Sequence, residues 1–383
     1  MMKRRFFLTG ATTLCALTLW PGSAAAQSTH PIGVMTLAAA WRQGAEASAN
    51  FVGLLQADWT AGLVHVKSAV PVPTRAHGLL AEPGGGFVAV ASRPGQWLLR
   101  CDANGEPMQW HRMEGETGGR TLDGHICASL NGEWLYTAET NPLSGQGWVG
   151  VRESRSLRKV AEWRTHGLEP HQLVLDSSGA LMVANGGILR TEGDKKRDLH
   201  LMDSSLVRLN PATGERLGQW RLKDARLSLR HLAWSHPVAG GDTSGQAKPL
   251  LGIALQAEHD DLTQRRAAPV FAVLDGDSLE IPTLVAAGAG YAGDIAAGPE
   301  GGFVLSCQRA GLAVQWRPAA PTDLVTVAQL QEVCALAPWR AELQESGLLI
   351  GAARGVGRWH PVVEPGFLKW PNALALDNHW VVV

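Results

Sequence analysis

The stretch LEPHQLVLDSSGALMVANGG, residues 168–187, contains a histidine followed by the pattern of a short β-hairpin. Leu173 and Leu175 alternate with their neighbours, Ser177 to Gly179 provide a turn, and Leu181 to Ala184 run back as an apolar strand. His171 stands just before this apolar hairpin. The stretch therefore predicts two antiparallel strands with a polar side chain at the start of the first.

The same pattern recurs along the chain, each time with a polar residue at the start of a hairpin. The other starts are His77 in RAHGLLAEPGGGFVAVAS, His125 in LDGHICASLNGEWLYTAET, His231 in LRHLAW, Asp294 in AGDIAAGPEGGFVLSCQR, Cys334 in VCALAP (or Glu332 in another register) and Asn372 in WPNALALDNHWVVV. Consecutive starts are 38 to 63 residues apart, and two further strands follow most hairpins, as in SSLVRLNPATGERLGQWRL. Repeats of this length predict an all-β, seven-bladed β-propeller. A propeller of six or eight blades and a pair of sandwiches are the alternatives.

The two ends of the chain predict how this ring closes. Residues 51–70 contain a strand pair before the first complete repeat, and the last unit, residues 372–383, contains two strands. If the two pairs form one sheet, no strand edge remains open. We therefore expect a lead-in segment over residues 27–50 and a single propeller domain over residues 51–383.

The first 26 residues differ from the rest and predict an export signal. Lys3 to Arg5 are followed by Phe7-Leu8, a short apolar stretch and Ala24 to Ala26. The paired arginines match the twin-arginine form, which directs folded proteins across the inner membrane. A membrane anchor is the alternative, but the apolar run is short for a span. The expected product is a periplasmic protein without stable membrane insertion.

Composition narrows the classes of partner. Hydrophobic residues make up 45% of the chain and the formal net charge is −1, so the sequence offers no basic surface for nucleic acid. We expect a soluble monomer. Cys101, Cys127, Cys307 and Cys334 remain after removal of the signal. Their spacing leaves disulfide pairing open.

The twin-arginine signal and the segments RAHG, DGHICAS, EPHQLVLD and RHLAW resemble a bacterial family catalogued as domain of unknown function 1513. The resemblance covers essentially the whole mature chain. It implies an exported propeller often encoded beside imelysin-like iron-uptake proteins and di-haem oxidoreductase-like proteins. Periplasmic iron-uptake or cytochrome-type proteins are therefore the expected partners.

The polar residues at the hairpin starts predict a shared metal site. In a propeller the first strand of each blade lines the central channel, so equal positions on successive blades face one funnel. His77, His125, His171 and His231 are the predicted metal ligands, with Asp294 as a fifth ligand or supporting partner. Imidazole and carboxylate suit a transition metal, and iron is expected, with copper or zinc as alternatives. Histidines that only bind backbone carbonyls and channel water are the structural alternative.

The second strand of each blade ends at the same face and adds further candidates. The residues in these positions are Arg93, Glu139, Asn185, His259, Gln308 and Arg354. Of these, we predict Arg93, Glu139, His259 and Arg354 as cofactor-binding residues. Histidines too widely spaced for one ion could instead surround a metal chelate or tetrapyrrole. The carboxylates of such a ligand would meet Arg93 and Arg354. Long connections at 186–205 and 258–269 are expected to lie there too.

Three functions follow from these features. The first is a periplasmic protein that binds or handles a transition metal or its chelate. The second is a metal-dependent oxidoreductase or hydrolase that uses the same funnel. The third is a cofactor-free protein-interaction scaffold. No residue is assigned a catalytic role from the sequence.

Overall fold

The computed structural model describes residues 33–43, 49–191, 193–236, 248–340 and 346–383. The predicted export signal, residues 1–26, and most of the insertion after His236 lie outside the described residues. The fold is the predicted seven-bladed β-propeller, with seven blade sheets arranged in a ring, of which one combines strands from both ends of the chain.

Four strands precede the first complete blade, namely β1 (Val34–Gln43), β2 (Ala49–Asp58), β3 (Leu63–Val66) and β4 (Val70–Val72). The next three blades follow in chain order. Blade 1 contains β5 (Ala76–Ala81), β6 (Phe87–Ala91), β7 (Trp97–Cys101) and β8 (Pro107–Arg112). Blade 2 contains β9 (Thr121–Ala128), β10 (Trp134–Thr140), β11 (Gln146–Glu153) and β12 (Lys159–Leu168). Blade 3 contains β13 (Pro170–Leu175), β14 (Leu181–Asn185), β17 (Ser205–Leu209) and β18 (Arg216–Trp220), with the hairpin β15 (Leu189–Arg190) and β16 (Lys196–Arg197) inserted between its second and third strands.

Three more complete blades lead to the final strand. Blade 4 contains β19 (Leu227–Trp234), β20 (Leu251–Ala257), β21 (Phe271–Asp275) and β22 (Ser278–Glu280). Blade 5 contains β23 (Asp294–Ala297), β24 (Phe303–Cys307), β25 (Leu312–Arg317) and β26 (Ala320–Gln329). Blade 6 contains β27 (Leu336–Arg340), β28 (Ser346–Ala352), β29 (Gly355–His360) and β30 (Val363–Lys369), and the chain ends with β31 (Ala375–Val382).

The closing blade joins the two ends of the chain, as predicted, but with a different division of strands. Strand β31 is antiparallel to β1, which pairs with β2, and β2 pairs in turn with β3 and β4. The C-terminus thus supplies one strand, not the predicted two. The lead-in segment 27–50 contains β1 and the start of β2, so the propeller begins at Val34 instead of at residue 51. One long N-terminal strand replaces the expected second C-terminal strand because Leu37 to Trp41 are all apolar and are buried between blades.

The core lies between neighbouring blades, where apolar side chains from facing sheets pack together. Between blades 4 and 5, for example, the Phe271 ring centroid lies 5.6 Å from that of Phe303 and 5.1 Å from that of Trp316. All three side chains are buried, and burying one aromatic side chain contributes about 2 to 3 kcal/mol. Seven such interfaces hold the inner strands at fixed positions around the channel.

Short helices lie in connections between second and third strands. They are the helix α1 (Leu262–Ala267) in blade 4 and two single-turn 3-10 helices, Leu199–Leu201 in blade 3 and Gln308–Ala310 in blade 5. The Asp261 side chain caps α1 by accepting from the backbone N–H of Gln264. None of the helices in the described ranges is long and apolar enough to cross a membrane.

Candidate metal centre

Five histidines, one from each of five innermost strands, meet in the central channel. Neighbouring ring centroids form a closed circuit with separations of 4.6 Å for His379–His77, 4.8 Å for His77–His125, 4.6 Å for His125–His171, 4.6 Å for His171–His231 and 4.5 Å for His231–His379. None of the five is more than 8% exposed. The four predicted histidines are therefore brought together, and a fifth that was not predicted joins them.

His231 Nε2 lies close to a ring nitrogen of each of two other histidines. His171 Nε2 lies 2.9 Å from His231 Nε2, and His379 Nε2 lies 3.0 Å from the same His231 atom. One ligand atom each from His77, His125, His171 and His231 lies within 4.8 Å of the others, and the same holds for His231, Asp294 and His379. Because both sets share His231, they describe one polar centre that could hold a metal ion.

The strand geometry at each histidine explains why all five side chains enter the channel. In blades 1 to 4 and in the closing blade, the pairing register of the innermost strand shifts across the segment that contains the histidine. At His171, for example, Pro170 pairs with Asn185 and Leu173 with Val183, so two residues face one. The innermost strand of blade 5, with Asp294, has no such shift. A β-bulge redirects the side chain that it contains, which places these histidines on the channel wall.

One glycine is needed beside the cluster. Gly124 has φ 98°, a conformation that L side chains rarely adopt. A Cβ at this position would lie 3.0 Å from both Cβ and Cδ2 of His77. Gly124 thus permits both the bulge before His125 and the close packing of the His77 ring.

Two buried carboxylates lie beside the Nδ1 atoms of two of the rings. His77 Nδ1 donates to Asp377 Oδ1 over 2.8 Å, and the Arg75 guanidinium also donates to the Asp377 carboxylate. His379 Nδ1 lies 3.2 Å from Asp294 Oδ1. Asp294 Oδ2 is occupied by the backbone N–H of Leu336 at 2.8 Å. A carboxylate beside Nδ1 favours the tautomer that leaves the Nε2 lone pair free for a metal.

His171 has a cationic neighbour instead. Arg93 Nη1 donates to His171 Nδ1 over 3.3 Å and lies 3.2 Å from Glu169 Oε1. Burial alone would raise the pKa of Glu169, but the guanidiniums of Arg230, Arg93 and Arg190 outweigh it and lower this pKa to about 2. The Arg93 side chain therefore does reach the cluster, and it does so together with an ionised carboxylate.

Burial keeps four of the five imidazoles neutral. It lowers the pKa of His77 to about 3 against the opposing effect of Asp377. It also lowers the pKa values of His125, His171 and His231 well below the ordinary value, and the surrounding histidines and arginines add to the effect. Neutral imidazole is the form that binds metal ions.

A small cavity adjoins the cluster on the side of blades 1 to 3. Its wall includes Arg93, Asp123, Glu169, Arg190 and Asp194. Burial raises the pKa of Asp123 to about 7, partly opposed by a hydrogen bond from Thr140. The connection that carries Arg190 and Asp194 belongs to the predicted long segment 186–205.

The structure places the other predicted site residues away from the histidines. Glu139 is fully buried in blade 2, where Arg152 donates to Oε1 over 2.6 Å and Lys159 to Oε2 over 3.0 Å. His259 Nε2 pairs with Asp224 at 2.9 Å. These contacts make Glu139 and His259 parts of separate ion-pair groups.

Three further candidates also lie outside the histidine cluster. The Arg354 side chain is exposed at the turn between β28 and β29. Asn185 is buried and donates to the Thr165 carbonyl at 3.1 Å, whereas Gln308 lines a different cavity with Cys334. The four described cysteines, Cys101, Cys127, Cys307 and Cys334, are free, so no disulfide forms among them.

His379 was not predicted because Asn372 was assigned to the start of the last repeat. The motif that could have identified it is an acidic residue two positions before the histidine. This motif occurs as DGH ending at His125, EPH ending at His171 and DNH ending at His379. Asn372 precedes β31 and is not a channel-strand residue.

The fold and the site together define a seven-bladed β-propeller with a buried histidine cluster in its channel. The family described as protein of unknown function (DUF1513) matches residues 70–383, and the chain belongs to it. No curated protein matches the sequence.

Solved structures share the fold at low identity. A virginiamycin B lyase from Staphylococcus aureus is 9% identical with a TM-score of 0.53, covering 80% of this chain and 92% of the lyase. The WD40 repeats of RRP9 are 11% identical with a TM-score of 0.54, covering 81% and 84%. A streptogramin B lyase is 12% identical with a TM-score of 0.53, covering 86% and 98%. At these identities the similarity establishes the propeller fold only.

Proposed function

We propose that this chain is an exported, periplasmic protein that binds a transition metal, iron in the first instance, at the histidine cluster. His77, His125, His171, His231 and His379 supply the ligands, and Asp294 and Asp377 orient two of them. The residues fit a metal because one buried ring nitrogen of the cluster, His125 Nε2, has no hydrogen-bond partner among the described residues. Buried polar atoms without partners are costly and call for a ligand.

The observation that carries the proposal is the short separation of His231 Nε2 from the Nε2 atoms of His171 and His379. Two nitrogens that each lie about 2.1 Å from one ion and subtend a right angle at it are about 3.0 Å apart. The separations here are 2.9 Å for His171–His231 and 3.0 Å for His231–His379. Each of these two pairs thus has the spacing of two neighbouring ligands of one ion.

Hydrogen bonding accounts for one of these contacts but not for the other. Arg93 donates to His171 Nδ1, so neutral His171 carries its proton on Nε2 and donates to His231. For His171 Nε2 to bind an ion, this proton must move and the Arg93 contact must open. Asp294 favours the His379 tautomer with its proton on Nδ1, which turns a second lone pair toward His231 Nε2. Two lone pairs 3.0 Å apart repel each other, and a cation between them removes the repulsion.

The donor set favours iron over zinc. Zinc in proteins is almost always bound by four ligands in a tetrahedron, in which neighbouring nitrogens are about 3.4 Å apart. The two imidazole pairs have right-angle spacing, which suits a metal of higher coordination number, such as ferrous iron. The family resemblance to proteins encoded beside iron-uptake genes points to the same metal.

The test is the metal content of the protein purified from the periplasm. We expect about one iron per chain by inductively coupled plasma mass spectrometry, and loss of that iron in His231→Ala. His259→Ala is the matched control, since it also removes a buried histidine with a carboxylate partner but lies outside the cluster. A metal-free wild-type protein, or equal iron in both variants, would overturn the proposal.

A metal-dependent enzyme is the second candidate, and the cavity beside the cluster favours it. The buried acid Asp123 and the cationic Arg93 both line this cavity next to the histidines. An ion with one open position there could activate water or a bound substrate. This function predicts turnover that is lost together with the metal.

A further inference from the structure

Gln172 follows His171 in the chain, and its side chain reaches across to the next blade. Its Oε1 atom accepts a hydrogen bond from the backbone N–H of Leu232 over 2.6 Å. Leu232 in turn follows His231, whose Nε2 atom lies 2.9 Å from that of His171. The hydrogen bond therefore joins strands β13 and β19 directly beside two histidines of the cluster.

Both of these histidines lie in β-bulges, where regular strand pairing controls position less tightly. The pairing register shifts between Pro170 and Leu173 in β13 and between Leu229 and Leu232 in β19. A bulge disrupts the ladder of backbone hydrogen bonds, and backbone groups near it need other partners. The Gln172 side chain supplies such a partner for the N–H of Leu232.

Gln172 is the one polar side chain at its position among the seven blades. The residues that follow the corresponding channel residues of the other six blades are Gly78, Ile126, Leu232, Ile295, Ala335 and Trp380. An amide among apolar neighbours is unfavourable unless it is hydrogen-bonded. The contact with Leu232 thus gives this position of blade 3 a function that the other blades do not share.

A second hydrogen bond joins the same two strands farther from the histidines. Trp234 Nε1 donates to the Leu175 carbonyl over 2.7 Å. This bond holds β13 against β19 without lying next to the cluster in either strand. It therefore provides a comparison for the bond of Gln172, which lies next to the cluster in both.

We propose that Gln172 is a positioning residue for the metal centre and sets the place of His231 relative to His171. This inference rests on the proposed function, because it assigns Gln172 a role at that same site. Gln172 acts through the backbone of Leu232 and does not bind the ion itself. Since His231 Nε2 lies close to both His171 and His379, a movement of its strand alters both separations.

The first experiment compares Gln172→Leu, Gln172→Glu and Trp234→Phe with the wild type, with Co²⁺ as the probe metal. Chelator competition measures Co²⁺ affinity, and the visible absorption of bound Co²⁺ reports its coordination geometry. Gln172→Leu should weaken binding by about tenfold or more and change the spectrum. Gln172→Glu keeps the acceptor oxygen and should restore both. Trp234→Phe, the matched control, removes the other bond between the strands and should leave both unchanged.

The second experiment needs no metal. In metal-free protein labelled with ¹⁵N at histidine, the ring nitrogen resonances report the surroundings of each imidazole. Gln172→Leu should shift the resonances of His171 and His231, while those of His111, which pairs with Glu116 outside the cluster, stay in place. Trp234→Phe should leave the resonances of the cluster unchanged.

Wild-type Co²⁺ affinity in Gln172→Leu together with unchanged ring resonances would overturn the inference, and so would equal changes in Trp234→Phe. If the wild type binds no Co²⁺ but Gln172→Leu shifts the two resonances, the positioning role stands and only the proposed metal centre is contradicted. Co²⁺ binding that Gln172→Leu does not weaken contradicts only this inference. If Gln172→Leu does not fold, Gln172→Met, which preserves the length of the side chain, takes its place.

Discussion

His379 Nε2 lies 3.0 Å from His231 Nε2, although 148 residues separate the two along the chain. His379 belongs to β31, the strand that closes the ring, and His231 belongs to the innermost strand of blade 4. The strand that closes the propeller therefore also completes the histidine cluster. This relationship leads to predictions about binding, stability and dynamics.

Replacement of His379 by alanine should weaken metal binding at least tenfold. The substitution removes one of the two nitrogens that lie close to His231 Nε2 and leaves the rest of the cluster in place. Competition with a chromogenic chelator measures the affinity, and His259→Ala serves as the control. Wild-type affinity in His379→Ala would show that the fifth histidine is not a ligand.

Asp377→Asn should lower both stability and metal affinity. The Asp377 carboxylate accepts hydrogen bonds from Arg75, from His77 and from the backbone N–H of Asn378. Burial alone would raise the pKa of Asp377, but the neighbouring Arg75 and His77 outweigh burial and hold this pKa well below the usual range. Loss of hydrogen bonds to a charged group costs about 2 kcal/mol. Loss of a carboxylate that orients a ligand costs about 10- to 100-fold in metal affinity. Urea unfolding measures the stability and chelator competition measures the metal affinity. The control is Asp203→Asn, which changes an exposed ion pair. Equal values for both variants would contradict the prediction.

Stability of the metal-free protein should fall as the pH drops below about 6.5. In the unfolded chain the histidines take up protons near pH 6.5. In the folded state, burial lowers the pKa of His77 to about 3. It also lowers the pKa values of His125, His171 and His231 well below the ordinary value. The unfolded state thus binds more protons between these limits. Each such histidine destabilises the fold by about 1.4 kcal/mol per pH unit in that window.

The ionised carboxylates extend this loss to lower pH. The pKa of Glu169 is lowered to about 2 by three arginines that outweigh its burial, so its contribution is complete above pH 4.3 and disappears as the pH falls toward 2. Urea unfolding at pH 7, 6, 5 and 4 measures the combined dependence. A free energy of unfolding that is constant from pH 7 to pH 5 would contradict the neutral, buried state of the histidines.

Metal binding should selectively slow hydrogen exchange in β31. This strand pairs with β1, while Asp377 and His379 contact residues of blades 1, 4 and 5. An ion that ties His379 to the other histidines must therefore oppose local opening of the closing blade. Mass spectrometry of peptides covering Ala375–Val382, with β25 as the internal reference, measures the effect. Equal slowing in both regions, or none, would contradict the coupling.

The repeat pattern predicted the fold because each blade repeats the same hairpin and the same polar start. It also predicted that His77, His125, His171 and His231 share one channel, since equal positions on successive inner strands face the same axis. The repeat pattern did not predict the last strand correctly. Strand β31 pairs with β1 from the other end of the chain and has no hairpin partner after it, so the hairpin pattern could not locate His379.

Side-chain direction at the ends of second strands was harder to predict than strand position. Glu139 ends β10 as expected, but its side chain pairs with Arg152 from β11 and Lys159 from β12 within the same blade. The bulges at the histidines interrupt the period of two on which such directions depend. Charged partners elsewhere in the blade decided where Glu139 points.

The most direct test of the proposed metal centre is X-ray absorption at the metal edge of protein purified from its native host. The account predicts a bound transition metal, iron in the first instance, with a shell of imidazole nitrogens at about 2.1 Å that loses one nitrogen in His379→Ala. Protein without metal, or a metal surrounded by oxygen or sulfur without imidazole, would contradict it.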